Sequence, residues 1–316
     1  MSIGRVSTYQ LNKAFSNQIN NTQSKFNKLS NQISSGIKVG SMTDDPVAAG
    51  SIIKANKQLE DINTYVSNIK SADSELSVVD NTLKSINDQL AKAHDVAMLV
   101  SNGATSVDSV KAYQSELDAI IDNITKLANT KYNDSYLFSG TRTTTSPYTQ
   151  SAEGLKYDGN DEKRSTLIGE NKVQDISFIG MDVFGEAAFT TDSEGVITFD
   201  DANSSGMFGA LYKLKAAMQD AENVDFDNVQ AAMGELDDNI SVVTGNRTRV
   251  GAMGEVFDDM LATYGNDTIN LTELRSNLQD TDLSSAISDW YSLYQSMQAS
   301  YSIMSQSMQA TLLNYI

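Results

Sequence analysis

The sequence contains no cysteine, so disulfides, thiolate metal sites and a cysteine nucleophile are excluded. Such a chain can function in any redox compartment. Proline occurs only at Pro46 and Pro147, which is compatible with long, uninterrupted helices. His94 is the only histidine, so no multi-histidine metal motif can form. No run of about 18 apolar residues exists, and no membrane insertion is expected. The opening stretch MSIGRVSTYQLNKAFSNQ lacks the apolar centre of a cleaved signal peptide. Cations are scarce: 23 Lys and Arg against 41 Asp and Glu give a net charge of -18 and a pI near 4.3. That balance disfavours nucleic-acid backbones and anionic membrane surfaces as partners.

What the chain does have is helix periodicity. Phe15, Ile19, Thr22, Phe26, Leu29 and Ile33 recur at steps of three and four, a heptad stripe. The first 43 residues hold five cations and no acid. An acid-free start occurs in organelle transit peptides, but those are rich in arginine and Arg5 is the only one here. In TDDPVAAG, Asp44 and Asp45 precede Pro46, the chemistry of a helix start. The stripe that follows runs Ile62, Tyr65, Ile69, Ala72, Leu76, Val79, Leu83, Ile86, Leu90, Ala93, Ala97 and Val100, and stops at Ser101–Gly103. A helix from Pro46 to Ser101 spans roughly 80 Å, too long for an ordinary globular domain. A second helix restarts near Thr105 with Val110, Tyr113, Leu117, Ile120, Ile124 and Leu127, and packs back as a hairpin.

From about Thr141 to Gly206 the helix period gives way to the short β-type runs STLI, DISFI and VITF between turn signals. The turn-rich flanks suggest a separable insert. Helix returns at Met207, and a longer stripe begins at Val229, Met233, Leu236, Ile240 and Val243. Gly245, Gly251 and Gly254 then predict a local break or a close backbone contact. The expected fold is mainly α with a β-rich insert: a long antiparallel helical rod, paired terminal coiled-coil arms and a small distal β domain. The expected divisions are 1–43 with 281–316 for the arms, 44–140 with 207–280 for the rod, and 141–206 for the β-rich outer domain.

The last 34 residues pose a physical problem. Asp289 is their only charge, yet they carry Trp290, four tyrosines and three methionines. Their heptad reads Leu283, Ile287, Trp290, Tyr294, Met297, Tyr301, Met304 and Met308, with Tyr291, Leu293 and Ile303 outside it. This seam is expected to meet Phe15, Ile19, Phe26, Leu29 and Ile33 of the same chain or of a neighbour. Burying a large apolar side chain is worth roughly 1.5–3 kcal/mol. A helix pair buries one stripe on each partner, so the remaining apolar groups favour association between chains.

Several stretches carry a resemblance. QISSGIKVGSMTDDPVAAG at Gln32–Gly50, NDSYLFSGTRTTTSPY at Asn133–Tyr148, LKYDGNDEKRSTLIGENKVQDISFIGMDVFG at Leu155–Gly185 and RSNLQDTDLSSAISDWYSLYQSMQASYSIM at Arg275–Met304 are similar, in order, to the flagellin superfamily. TDDPVAA is shared with filament-forming members, whereas the β stretch and the DTDLSSAI layout lean toward the hook–filament junction members. The Met- and Tyr-rich tail departs from the Leu-rich, Pro-containing end of filament flagellins. The resemblance implies a structural protein of the extracellular flagellum, exported unfolded by the flagellar type III channel without a cleaved signal. It implies a ring of identical copies between a hook-side junction protein and flagellin, with an export chaperone as a further partner. The alternative is a filament-forming flagellin.

No catalytic constellation competes with this. His94 sits one residue past the stripe position Ala93, a flank of a helix. GAMGEVFDDM is a bare G-x-x-G fragment with no strand before it. DGNDE lacks the glycine and final glutamate at the places a calcium loop requires. No catalytic residue, cofactor or metal ligand is expected, and neither is a nucleic-acid partner. An effector using coiled-coil arms for delivery would need chemistry the sequence does not contain.

Overall fold

The computed structural model describes the backbone of residues 3–102, 106–151, 154–191 and 197–313. Side chains are described at residue 10 and over 13–102, 106–151, 154–190 and 198–306. In chain order the elements are α1 (Ile3–Ser35), α2 (Pro46–Ser101), α3 (Val107–Ala128), β1 (Lys131–Tyr132), β2 (Ser135–Tyr136), β3 (Tyr148–Ser151) and β4 (Gly154–Tyr157). There follow β5 (Ser165–Gly169), β6 (Lys172–Asp175), α4 (Gly180–Phe184), β7 (Glu186–Thr191), β8 (Ile197–Ser205), α5 (Gly206–Ala217), α6 (Phe226–Gln279) and α7 (Leu283–Leu313). The chain is thus mainly α with a small antiparallel β region. It divides into two compact units, Met1–Asp61 with Gly265–Ile316, and Ile62–Tyr264.

The long helix α2 begins where the sequence places it. Asp45 Oδ1 accepts from the backbone N–H of Val47 and Ala48, both at 3.0 Å, and Pro46 needs no partner. Its predicted stripe is buried from Ile69 to Val100. Within the unit Ile62–Tyr264, α6 runs antiparallel beside α2. Tyr65 meets Tyr264 (ring centroids 5.8 Å apart), Arg247 donates to Asp80 at 2.9 Å, and His94 Nε2 lies 3.4 Å from Asp237. His94 is therefore a flanking partner of α6. The carboxylate of Asp80 raises the Arg247 pKa above its ordinary value. Ser106 caps α3 by accepting from Ser109 N–H at 3.3 Å.

Helix α6 does not break at its glycines. It is continuous from Phe226 to Gln279, and a Cβ added at Gly245, Gly251 or Gly254 would meet nothing within 4 Å. The expected break or close contact is therefore absent among the described residues. Each glycine costs about 1 kcal/mol against alanine in a helix. Buried Val243, Val250, Met253 and Phe257 hold the helix through that cost.

Among the described residues, three antiparallel sheets form the β region: β1–β2, β3–β4–β7–β8 and β5–β6. Two features differ from the sequence reading. The β1–β2 hairpin turns on Asn133 and Asp134, both at positive φ (47° and 62°), a tight-turn signal that lay just before the region read as β. The run read at DISFI forms its strand earlier, at Lys172–Asp175, which pairs with β5. Asn171 at φ 56° closes a two-residue turn, and that turn fixes the register. Ile176, Phe178 and Ile179 then enter the core as irregular chain.

The β region and the helices share one apolar cluster. Phe138, Tyr148, Leu155, Phe178, Phe184 and Phe189 belong to the same core as Leu83, Leu117, Leu211 and Leu236. Tyr148 is 2% exposed, and its hydroxyl donates to Gly185 O at 2.8 Å. Burial pushes its phenol far above the usual value, so it stays a donor at any physiological pH. At Gly185 the backbone has φ +67°, and an added Cβ would sit 1.9 Å from Ser205 O. Only glycine fits there. The β5–β6 hairpin is held by side chains of α2 and α6. Arg164 pairs with Glu75, Asn68 Nδ2 donates to Leu167 O at 2.8 Å, and Tyr264 hydroxyl donates to Ile168 O at 2.6 Å.

Candidate assembly interface

The unit Met1–Asp61 with Gly265–Ile316 holds the residues the sequence singles out. Its base is a clamp between two chain reversals. Gly36, at φ +72°, ends α1, and its N–H returns to Gln32 O at 2.9 Å. Lys38 N–H then donates to Gln279 O at 2.7 Å, and Thr281 N–H donates to Gly36 O at 2.8 Å. Ile37 and Asp280 thereby form an antiparallel bridge. Val39, Ala49 and Ile52 make a small core against Leu278. Asp282 Oδ1 starts α7 by accepting from Ser284 and Ser285 N–H at 3.0 and 3.2 Å.

Asp44 braces the turn between α1 and α2. Lys28 Nζ lies 2.9 Å from its Oδ1, while Gly40 N–H and Ser41 N–H donate to Oδ2 at 3.3 and 3.2 Å. The Lys28 ammonium first, and the Ser41 hydroxyl next, hold the Asp44 carboxyl below its ordinary value.

Beyond the clamp, α1 and α7 pair antiparallel along one seam. On α1 the predicted stripe faces inward. Ile19 and Thr22 are buried, and Phe15, Phe26, Leu29 and Ile33 are half-buried. Thr22 is accommodated because its hydroxyl donates to Gln18 O at 2.9 Å. On α7 the inward positions are Ala286, Trp290, Leu293, Met297, Ser300 and Met304. Trp290 is the centre. Its Nε1–H donates to Ser30 Oγ at 2.8 Å, and its ring lies 5.1 Å from Phe26.

Half of the seam read from the α7 sequence therefore points inward and half does not. Trp290, Met297 and Met304 form a shared spine. The other inward positions are Ala286, Leu293 and Ser300, whereas Leu283, Ile287 and Tyr301 are 44–48% exposed and Tyr294, 39% exposed, sits at the edge of the seam. Two heptads share that spine, and the chain buries the one with smaller residues. Ala286 and Ser300 let the helix backbones approach more closely than Ile287 and Tyr301 would. The repeat of small or aliphatic residues at 286, 293 and 300 was the available signal, and the greater bulk of the other set masked it. Tyr294 stacks on Trp290 with 5.7 Å between ring centroids and an interplanar angle of 2°, and its ring also lies 6.3 Å from that of Phe26, so it meets α1 from the edge of the seam. Tyr291 and Ile303 are also exposed. The side chain of Met308 lies outside the described residues.

The arrangement offers contact surface. No group of three or more potential metal-ligating side chains occurs among the described residues. No helix among them is long and apolar enough to cross a membrane.

Comparison with known proteins agrees with this reading. Residues 6–143 match the bacterial flagellin N-terminal helical region, and residues 233–316 match the bacterial flagellin C-terminal helical region. Flagellar hook-associated protein 3 of Salmonella typhimurium is 26% identical over 303 residues, covering 94% of this chain and 95% of that protein. Its counterpart in Escherichia coli K12 is 24% identical over the same coverage. The structure of a putative flagellar hook-associated protein from Vibrio parahaemolyticus shares the fold, with a TM-score of 0.63 and 21% identity over 75% of this chain and all of that one. The two flagellin regions together span well over half of the sequence, and this chain belongs to the flagellin family.

Proposed function

We propose that this chain is a structural adaptor of the bacterial flagellum, assembling as a short ring of copies at the hook–filament junction. On one side the ring meets a hook-side junction protein, and on the other it seats flagellin. The chain reaches that place by flagellar export with the aid of a chaperone. The α1–α7 unit is the polymerisation element, and the β region, with its flanking helices, is the outer part. The observation that carries the reading is the second α7 stripe. Leu283, Ile287 and Tyr301 lie exposed beside a seam that is already filled, on a helix whose only charge is Asp289. Such a stripe in water invites association. The similarity to hook-associated proteins over nearly their full length supports the junction over the filament.

A filament-forming flagellin uses the same physics, so the test must separate the two. Purified chain is added to isolated flagellar ends, and immunogold labelling follows it by electron microscopy. The expected result is a single narrow band at the hook end that stops growing. Continuous elongation makes the chain a flagellin, and no labelling of flagella removes the proposal.

A further inference from the structure

The charge on this chain is distributed unevenly. Residues 1–43 carry five cations and no acid, which leaves 18 of the 23 cations with all 41 acids. On α1 the exposed lysines Lys13, Lys25 and Lys28 lie outside the buried Ile19–Thr22 seam. Lys28 is engaged by Asp44. Lys13 and Lys25 form no ion pair among the described residues. Around them the outer surface of α1 is amide and hydroxyl, at Asn17, Asn21, Ser24 and Asn31.

The complementary surface is on α6. Between Arg249 and Tyr264 that helix holds Glu255, Asp258 and Asp259, all exposed, and no cation. None of the three carboxylates is in an ion pair among the described residues.

We propose that the cationic outer face of α1 docks on the acidic Glu255–Asp259 stretch of α6 in a second copy of this chain. The inference rests on the assembly of copies proposed above and names the polar half of that contact. A net charge of -18 makes copies repel one another at long range. A local attraction must offset that repulsion and set the angle of approach before the apolar α7 stripe can be covered. Charge complementarity supplies orientation and encounter rate more than affinity. Every copy carries both faces, at different places, so the contact is head-to-tail, the kind that closes into rings.

The test uses the full chain and needs no flagellum. Copies labelled with 14N and 15N are mixed at about 200 μM and treated with a carbodiimide, which joins an amine directly to a carboxylate. The expected products are mixed-isotope links from Lys13 and Lys25 to the α6 acids. They should fall about tenfold when the ionic strength reaches about 1 M, where the Debye length is about 3 Å. Lys13→Glu with Lys25→Glu should abolish them. Mixing that variant with Asp258→Lys/Asp259→Lys copies should restore links of reversed polarity. Same-isotope links only, links to other carboxylates, or links indifferent to salt overturn the proposal. A chain that links as expected but is never found on flagella would remove the functional reading alone.

Discussion

At the level of single residues, α7 separates two jobs that look alike in the sequence. Leu293 and Tyr301 are both large and sit eight positions apart, yet Leu293 faces α1 and Tyr301 faces out. Leu293→Ala should weaken the helix pair by about 1 kcal/mol, the loss expected for a half-buried aliphatic side chain. Tyr301→Ala should change the chain's own stability by less than about 0.5 kcal/mol, as exposed truncations do, yet cut incorporation into flagella severalfold. Thermal melts followed by circular dichroism, set beside the amount of each variant in sheared flagella, read both effects. If Tyr301→Ala melts early or assembles normally, the outward stripe is not the assembly surface.

At the level of elements, legibility followed the number of independent signals. Helix α2 was readable end to end because an Asp-Pro start, a twelve-residue stripe and a stop at Ser101–Gly103 agreed. The α1 stripe was readable because its alternatives are polar. The α7 seam was only half readable, since heptad spacing alone cannot choose between two stripes that share Trp290, Met297 and Met304. The glycines of α6 misled because local propensity was overridden by the packing of Val250 and Phe257. The clamp at Ile37 and Asp280 left no sequence signal beyond Gly36, since it is made of backbone groups. That clamp leads to a further expectation. A two-helix pair with one seam is marginal, so protection should decay with distance from the clamp. Amides of residues 26–35 and 283–294 should exchange more slowly in the dilute monomer than those of residues 13–20 and 297–306. All should slow on assembly. Trp290, the only tryptophan, gives the same information by fluorescence. Uniformly strong protection of both helices in the monomer would mean that α1 and α7 need no neighbour.

At the level of the whole chain, the question is whether the β region is an appendage. Turn-rich flanks made it look separable in sequence, but its side chains say otherwise. Tyr148, Phe184 and Phe208 pack ring against ring at 4.9–6.0 Å, joining β3, α4 and α5. Arg164 reaches Glu75 of α2, and Tyr264 of α6 caps Ile168 O. Excising residues 145–203 would delete Tyr148, Leu155, Phe178 and Phe184 from the cluster that also buries Leu83, Leu211 and Leu236. Each lost large side chain costs roughly 2–5 kcal/mol in a packed core. Four such losses amount to roughly 8–20 kcal/mol, as large as the roughly 5–15 kcal/mol that holds a typical domain together. The excised chain should therefore lose the cooperative melting transition of the Ile62–Tyr264 unit. Gly185→Ala, which forces a Cβ against Ser205 O, should lower the same transition without removing any apolar surface. An excised chain that melts cooperatively would show that the helices alone complete their core, and the shared cluster would then be contact without dependence.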